Sequence, residues 1–176
     1  MPGQRWCYAK YMPPKSSRPY MPEYGIQPVN KGAGLLPWSF LSDQMSKAHN
    51  YWVVSVSPAG KLHAAPVWGL WCEEIFYFSS GRASRKARNW ATNPAVVVHS
   101  ESGDDTIILE GEVEIVDEQS EKALLKILDK AYRAKYDFAL LGLGNIYRLK
   151  VQRAFAWRES DFTESATRWV FSREDS

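Results

Sequence analysis

The sequence predicts a mainly β fold, a small antiparallel β-barrel with peripheral helices. Three observations carry that prediction. First, about six or seven β-branched and aromatic runs follow one another at close spacing, separated by turn residues. Second, few stretches keep a helical period. Third, the chain has 176 residues, 45% hydrophobic and 24% charged, which is the size and balance of one globular domain with its own core. A barrel of this class is filled by its own side chains, so a large ligand belongs on its outside or at a subunit seam.

The elements follow in chain order. Residues 1–37 hold seven of the ten prolines. A segment so rich in proline keeps neither a helix nor a central strand. Its Trp6, Tyr8, Tyr11, Tyr20 and Tyr24 are unlike a disordered tail, which is poor in aromatics. It reads as an extended arm laid over another surface, and residues 38–176 as the folded domain. Trp38, Leu41, Met45 and Ala48 recur at helical spacing, with Ser39 able to cap, which predicts a helix over 38–49. Tyr51–Ser57 is a strand, and Pro58-Ala59-Gly60-Lys61 a turn. Leu62–Trp71 is a second strand bent around Pro66 and Gly69, and Ile75–Ser79 closes a hairpin. Gly81–Thr92 reads as a short basic helix ended by Asn93-Pro94. Ala95–Ser100 and Thr106–Val116 are strands. Asp117 is placed to cap a helix over 118–136, with Ala123, Leu124, Ile127, Leu128 and Ala131 on its apolar face. Leu140–Asn145 is a glycine-broken loop, and Ile146–Trp157 and Ala166–Phe171 are the last strands.

Composition excludes several classes of function. Lys plus Arg is 22 and Asp plus Glu 20, a net charge of +2, so the global charge asks for neither nucleic acid nor an anionic membrane. Nine acids between Glu101 and Glu121 repel a phosphate backbone from the neighbouring strands. No apolar run approaches the roughly 18 residues of a membrane span, and the N-terminus lacks the apolar region of a secretion signal. Cys7 and Cys72 are too few for a disulfide framework and read as thiols of a reducing cytoplasm. His49, His63 and His99 lack metal-ligand spacing, so no metal site is expected. Eight Trp, nine Tyr and seven Phe exceed what a core of this size needs and suit an interface or a flat ligand.

Three stretches carry chemistry. In Phe76–Pro94, FYFSSGRASRKARNWATNP, a strand runs into a hydroxyl-rich turn and a helix start. Ser79, Ser80 and Ser84 supply hydroxyls, Gly81 lets backbone approach closely, and Arg82, Arg85, Lys86 and Arg88 supply four cations without an acid. That combination suits a phosphate, although it is not a P-loop. In His63–Trp71, HAAPVWGLW, small residues leave the backbone open to a planar ring, and Trp68 and Trp71 offer apolar walls. In Ile107–Val116, Glu110, Glu112 and Glu114 share one face of a strand of period 2. They read as a solvated strand face rather than as an acid–base pair.

Together these stretches resemble the flavin-binding split-barrel family of pyridoxamine 5′-phosphate oxidase, over roughly residues 38–171. The likeness is most specific at FYFSSGRASRKARNWATNP, which is similar to the family's F-Y-T-N-x-x-S-R-K. The resemblance implies a homodimeric split β-barrel of the FMN-binding type, with the cofactor phosphate on Ser79, Ser80, Arg85 and Lys86. It places the isoalloxazine ring along Ala64, Ala65, Pro66 and Val67, with Thr106 where the family has a longer Gln. Trp157 and Arg168 match its C-terminal Trp and Arg, given by the second subunit, and Trp68 and Trp71 fall on the substrate side. NYWVVSVSPAGKLHAAPVWGLW and ATRW resemble the branch of flavin and deazaflavin oxidoreductases still more closely. The C-terminal R-L-x-P of true pyridoxamine oxidases is absent, since the chain ends FSREDS, so vitamin B6 oxidation is not expected.

The implied activity is hydride transfer between FMN and a small organic substrate in the cytoplasm. One alternative is an 8-hydroxy-5-deazaflavin coenzyme, whose longer acidic tail would use Arg82 and Arg88. Another is a carrier or sensor that binds flavin or haem without turnover. No catalytic acid or base is singled out, and the arm is expected to wrap the partner subunit near the cofactor.

Overall fold

The computed structural model describes residues 14–31, 34–142 and 144–171. Trp6, Cys7, Tyr8 and Tyr11 lie outside the described residues. The elements are β1 (Lys15–Ser17), α1 (Trp38–Lys47), β2 (Tyr51–Val56), β3 (Leu62–Val67), β4 (Gly69–Cys72), β5 (Ile75–Ser80) and α2 (Arg85–Trp90). They continue with β6 (Ala95–Ser100), β7 (Asp105–Ile115), α3 (Lys122–Tyr136), β8 (Asn145–Arg158), α4 (Phe162–Ser165) and β9 (Thr167–Val170).

The strands form one antiparallel sheet in the order β1-β9-β8-β7-β6-β2-β3, and β5 joins it by pairing with both β8 and β4. This is a mainly β split barrel with helices at its ends. Its inside is filled by one cluster that includes Tyr51, Val53, Phe76, Phe78, Ile107 and Trp169. The long β7–β8 ladder carries the barrel and shifts register at Glu110/Gly111. Gly111 is required there, because a Cβ would run into the carbonyl oxygen of Lys150.

Several elements differ from the sequence prediction. Helix α2, expected over Gly81–Thr92, spans only Arg85–Trp90, because Ser84 caps it, and the short α4 has no counterpart in that prediction. The single strand expected over Leu62–Trp71 is two, with Trp68 between β3 and β4. Gly69 lies against the ring of Phe76, and its N–H turns to the Tyr136 hydroxyl (3.0 Å). Helix α3 begins at Lys122 rather than 118, because Asp117 closes a turn on the Gln119 N–H and the Ser120 hydroxyl instead of capping a helix. Its buried stripe is Leu125, Leu128 and Tyr132, which meet Leu70, Tyr77 and Ile146. Of the expected face, Ile127 and Ala123 are exposed. A tyrosine one turn from Leu128 outweighs the smaller alanines in burial, which rotates the helix. Helix α1 buries Leu41 and Met45 as expected, but its N-cap position is Pro37, so Ser39 caps nothing.

In the arm, β1 adds to the sheet edge beside β9. Arg18 pins it by donating to the carbonyls of Gln27 (3.0 Å) and Ala166 (2.9 Å). Tyr20 and Tyr24 are exposed.

Candidate functional site

The register of the sheet assembles one continuous outward face. Alternation buries Tyr51, Val53 and Ser55 of β2 and turns Trp52 and Val54 outward. Pairing carries this across the strands: Trp52 lies opposite Pro66 and His99, His99 opposite Ile108, Ile108 opposite Phe155, and Phe155 opposite Arg168. Val54 sits between Ala64 and Val97, and Thr106 faces Trp157. Ala64, Pro66, Thr106, Trp157 and Arg168, from four strands distant in sequence, therefore share one partly exposed face. Trp52 and His99 stack on it at 6.5 Å. The Arg168 guanidinium is steered by the Ser17 hydroxyl (3.1 and 3.3 Å), Trp157 meets Phe162 edge-on at 5.6 Å, and Thr106 donates to the Gly103 carbonyl (2.7 Å). Ala65 and Val67 alternate to the other side of β3, where Val67 is buried.

A second group forms where β5 runs into α2. Ser80 is buried and its hydroxyl lies 2.7 Å from that of Ser84. Ser84 is the N-cap of α2 and accepts from the Ala87 N–H at 3.2 Å, the usual way a serine starts a helix. Ser79 and Ser80 pair with Ile146 and Asn145 of β8. Gly144, at φ +126°, lets the chain entering β8 pass the Ser80 carbonyl, where a Cβ would collide. Gly81 faces open space.

Arg88 folds back to donate to the Ala83 carbonyl (2.7 Å). Among the described residues, no carboxylate pairs with Arg82, Arg85 or Lys86. Arg85 is exposed and Lys86 half-buried, and burial pulls the Lys86 ammonium below the usual lysine range. A half-buried cation without a counter-charge is costly unless an anion joins it.

The carboxylates of β7 are used differently. Glu110 pairs with Arg153 (2.9 Å), and Glu114 with Arg148 and with Lys150 (2.8 Å). Those ion pairs cross the β7–β8 ladder on its solvent side and hold Glu114 below the usual carboxylate range. Among the described residues no group of three or more His, Cys, Asp or Glu is placed to hold a metal, and no helix is long and apolar enough to cross a membrane.

Trp68 and Trp71 part company. Trp68 is 41% exposed and stacks on Tyr136 at 4.8 Å with ring planes 7° apart, with His49 and Phe138 edge-on. Trp71 points to α1, donating to the Ser42 hydroxyl (2.9 Å) near Trp38. The sequence did not single out the group beneath Trp68. There Lys135 donates to the Tyr51 hydroxyl (2.9 Å) and the Gly69 carbonyl (3.1 Å), and burial lowers its pKa to about 8. A lysine and a tyrosine ending an amphipathic helix give no local sign of this. It depends on α3 crossing the β3–β4 bend.

The fold matches that of known proteins. A structure of a conserved hypothetical protein from Mycobacterium tuberculosis superposes with TM-score 0.61 at 18% identity, over 70% of this chain and 85% of that one. An FAD-binding protein from Mesorhizobium loti gives 0.58 at 14%, over 77% and 96%. An F420 reductase gives 0.51 at 21%, over 64% and 94%. No curated protein matches the chain. The family model described as pyridoxamine 5′-phosphate oxidase matches residues 41–158, a span that contains β2–β3, the Ser80–Lys86 turn and the β7–β8 ladder. By that match, the chain belongs to the pyridoxamine 5′-phosphate oxidase family.

Proposed function

We propose that the protein is a homodimeric oxidoreductase that binds FMN at the subunit seam and transfers hydride to or from a small organic substrate. The observation that carries this is the half-buried Lys86, without a counter-charge among the described residues, beside Arg85 and the Ser80–Ser84 hydroxyl pair. The donor set fits a phosphate monoester: hydroxyls, an open backbone turn at Gly81 and two cations of different geometry. FMN supplies the hydride chemistry, and the chain binds, orients and dries it.

In this reading Lys86 and Arg85 neutralise the phosphate and Ser79 and Ser80 donate to it. The β3 backbone along Ala64–Val67 lies against the ring. The outward face of Trp52, His99, Ile108 and Phe155 meets a second copy, which brings Thr106, Trp157 and Arg168 to the partner's cofactor. An aromatic face of this kind is typical of an interface core. Trp68 forms the substrate wall at the far end of β3. Exposed Arg82 supports a second cofactor, an 8-hydroxy-5-deazaflavin coenzyme with a longer acidic tail. Calorimetric titration with FMN and with that coenzyme tests the reading. Saturable binding of either at one per chain supports it, and binding of neither refutes it. Turnover of the reduced cofactor against a substrate panel separates an enzyme from a flavin or haem carrier or sensor.

A further inference from the structure

The cofactor reading uses two places in the fold, the turn into α2 and the strand β3. Helix α2 has only six residues, too few to hold its own shape or position. Contacts with the rest of the fold must fix it. At its start the Ser80–Ser84 hydroxyl pair ties it to β5. Its buried residues are Ala87, Asn89 and Trp90. Ala87 packs without direction, and Trp90 packs against Phe78 and Tyr147 at 5.4 and 5.1 Å.

Asn89 is different. Its amide nitrogen donates to the Ser55 hydroxyl at 2.9 Å. Both residues are almost wholly buried, at 4% and 2% exposure. Ser55 stands opposite His63 in the β2–β3 ladder, and its hydroxyl points to the His63 carbonyl at 3.5 Å. His63 immediately precedes Ala64. Asn89 lies three residues after Lys86 and four after Arg85. One directional bond therefore links the helix that carries both cations to the strand pair that carries the ring segment.

We infer that the Asn89–Ser55 bridge is a positioning pair that sets the separation between the phosphate-holding turn and the ring-lining strand. This rests on the cofactor reading above. A flavin mononucleotide is anchored at both ends, so a shift of α2 against β3 spoils the phosphate contacts while the ring contacts survive. Neither residue touches the ligand in this account. They act through α2 and β3.

The test compares FMN with riboflavin, which lacks the phosphate. Calorimetry gives the ratio of their affinities for the wild type, for Asn89→Leu, and for Ser55→Ala combined with Asn89→Leu. The single variant leaves the Ser55 hydroxyl without its donor, and the double variant removes both polar groups, which restores much of the stability. The expected result is a wild type that prefers FMN and variants in which that preference shrinks by about tenfold or more, the worth of one charge-assisted contact. The preference stays reduced in the double variant even as its melting temperature recovers. An unchanged ratio in the double variant assigns the pair to packing alone and overturns the proposal. Should Asn89→Leu not fold, the double variant carries the test. A wild type that binds neither FMN nor riboflavin sinks the FMN reading and this proposal with it. A wild type that binds FMN with variants of unchanged ratio sinks this proposal only.

Discussion

Replacing Lys86 by methionine separates a phosphate anchor from a structural lysine, because the two roles move stability in opposite directions. Met keeps the unbranched stem and removes the charge. In the folded chain, the Lys86 ammonium is half-buried and lacks a counter-charge among the described residues. Its contact with a phosphate would be charge-assisted, worth about 2 kcal/mol, or about thirtyfold in affinity. Arg85 is exposed, so its contribution is screened to about 1 kcal/mol, near fivefold. Together Lys86→Met and Arg85→Ala weaken FMN by about two orders of magnitude, less if the neighbours couple through one anion. Riboflavin affinity stays where it was.

The unbound protein gives the second signature. Lys86 has its folded pKa lowered, so its charged form opposes folding. Lys86→Met therefore leaves the flavin-free melting temperature unchanged or higher. The same sign makes FMN affinity fall as pH rises through the Lys86 pKa, and the variant loses that alkaline limb. Titration calorimetry and differential scanning fluorimetry read these quantities. Equal loss of FMN and riboflavin, or a lower melting temperature without ligand, would refute the anchor.

Further predictions follow from single contacts. Lys135 titrates at about 8 when folded against about 10.4 when unfolded. A lowered lysine pKa means that stability rises with pH between those values. After discounting for its partial exposure, the wild type should gain about 1–2 kcal/mol over that window relative to Lys135→Met, read by urea melts at both pH values. Gly111→Ala forces a Cβ onto the Lys150 backbone at the β7 bulge and should cost about 2–4 kcal/mol, a melting-temperature fall of at least about 5 °C. Ser84→Ala removes the α2 cap and the partner of Ser80. It should cost about 1 kcal/mol and weaken FMN more than riboflavin. Light scattering should give twice 20.1 kDa, and Phe155→Glu on the outward face should lower that mass to one chain.

Most strands were legible because alternation survives in β2, β6 and β7, where one face is buried and the other partly open. The α3 face is legible in part: Leu128 is buried and Leu124 and Ala131 pack beside it, but Ala123 and Ile127 fit the period as well as Leu125 and Tyr132. Only the β4–β5 hairpin beneath the helix decides which side is covered. The Ser80–Lys86 turn was visible as a local run of hydroxyls and cations. The Asn89–Ser55 bridge was not, since it joins residues 34 apart and each looks like an ordinary polar residue. Trp68 and Trp71 read as a pair along a continuous strand. The bend at Gly69 sends one to α3 and the other to α1.

Flavin binding at the Ser80–Lys86 turn is read from the absorption spectrum of the freshly purified protein, with the mass of whatever heat releases, followed by titration of the stripped protein with FMN and the deazaflavin coenzyme. Isoalloxazine bands and the mass of FMN are expected, or saturable binding of one of the two coenzymes that the Lys86→Met and Arg85→Ala pair weakens by about two orders of magnitude. A stripped protein that binds neither coenzyme, or that binds FMN unchanged when both cations are gone, would contradict binding at that turn.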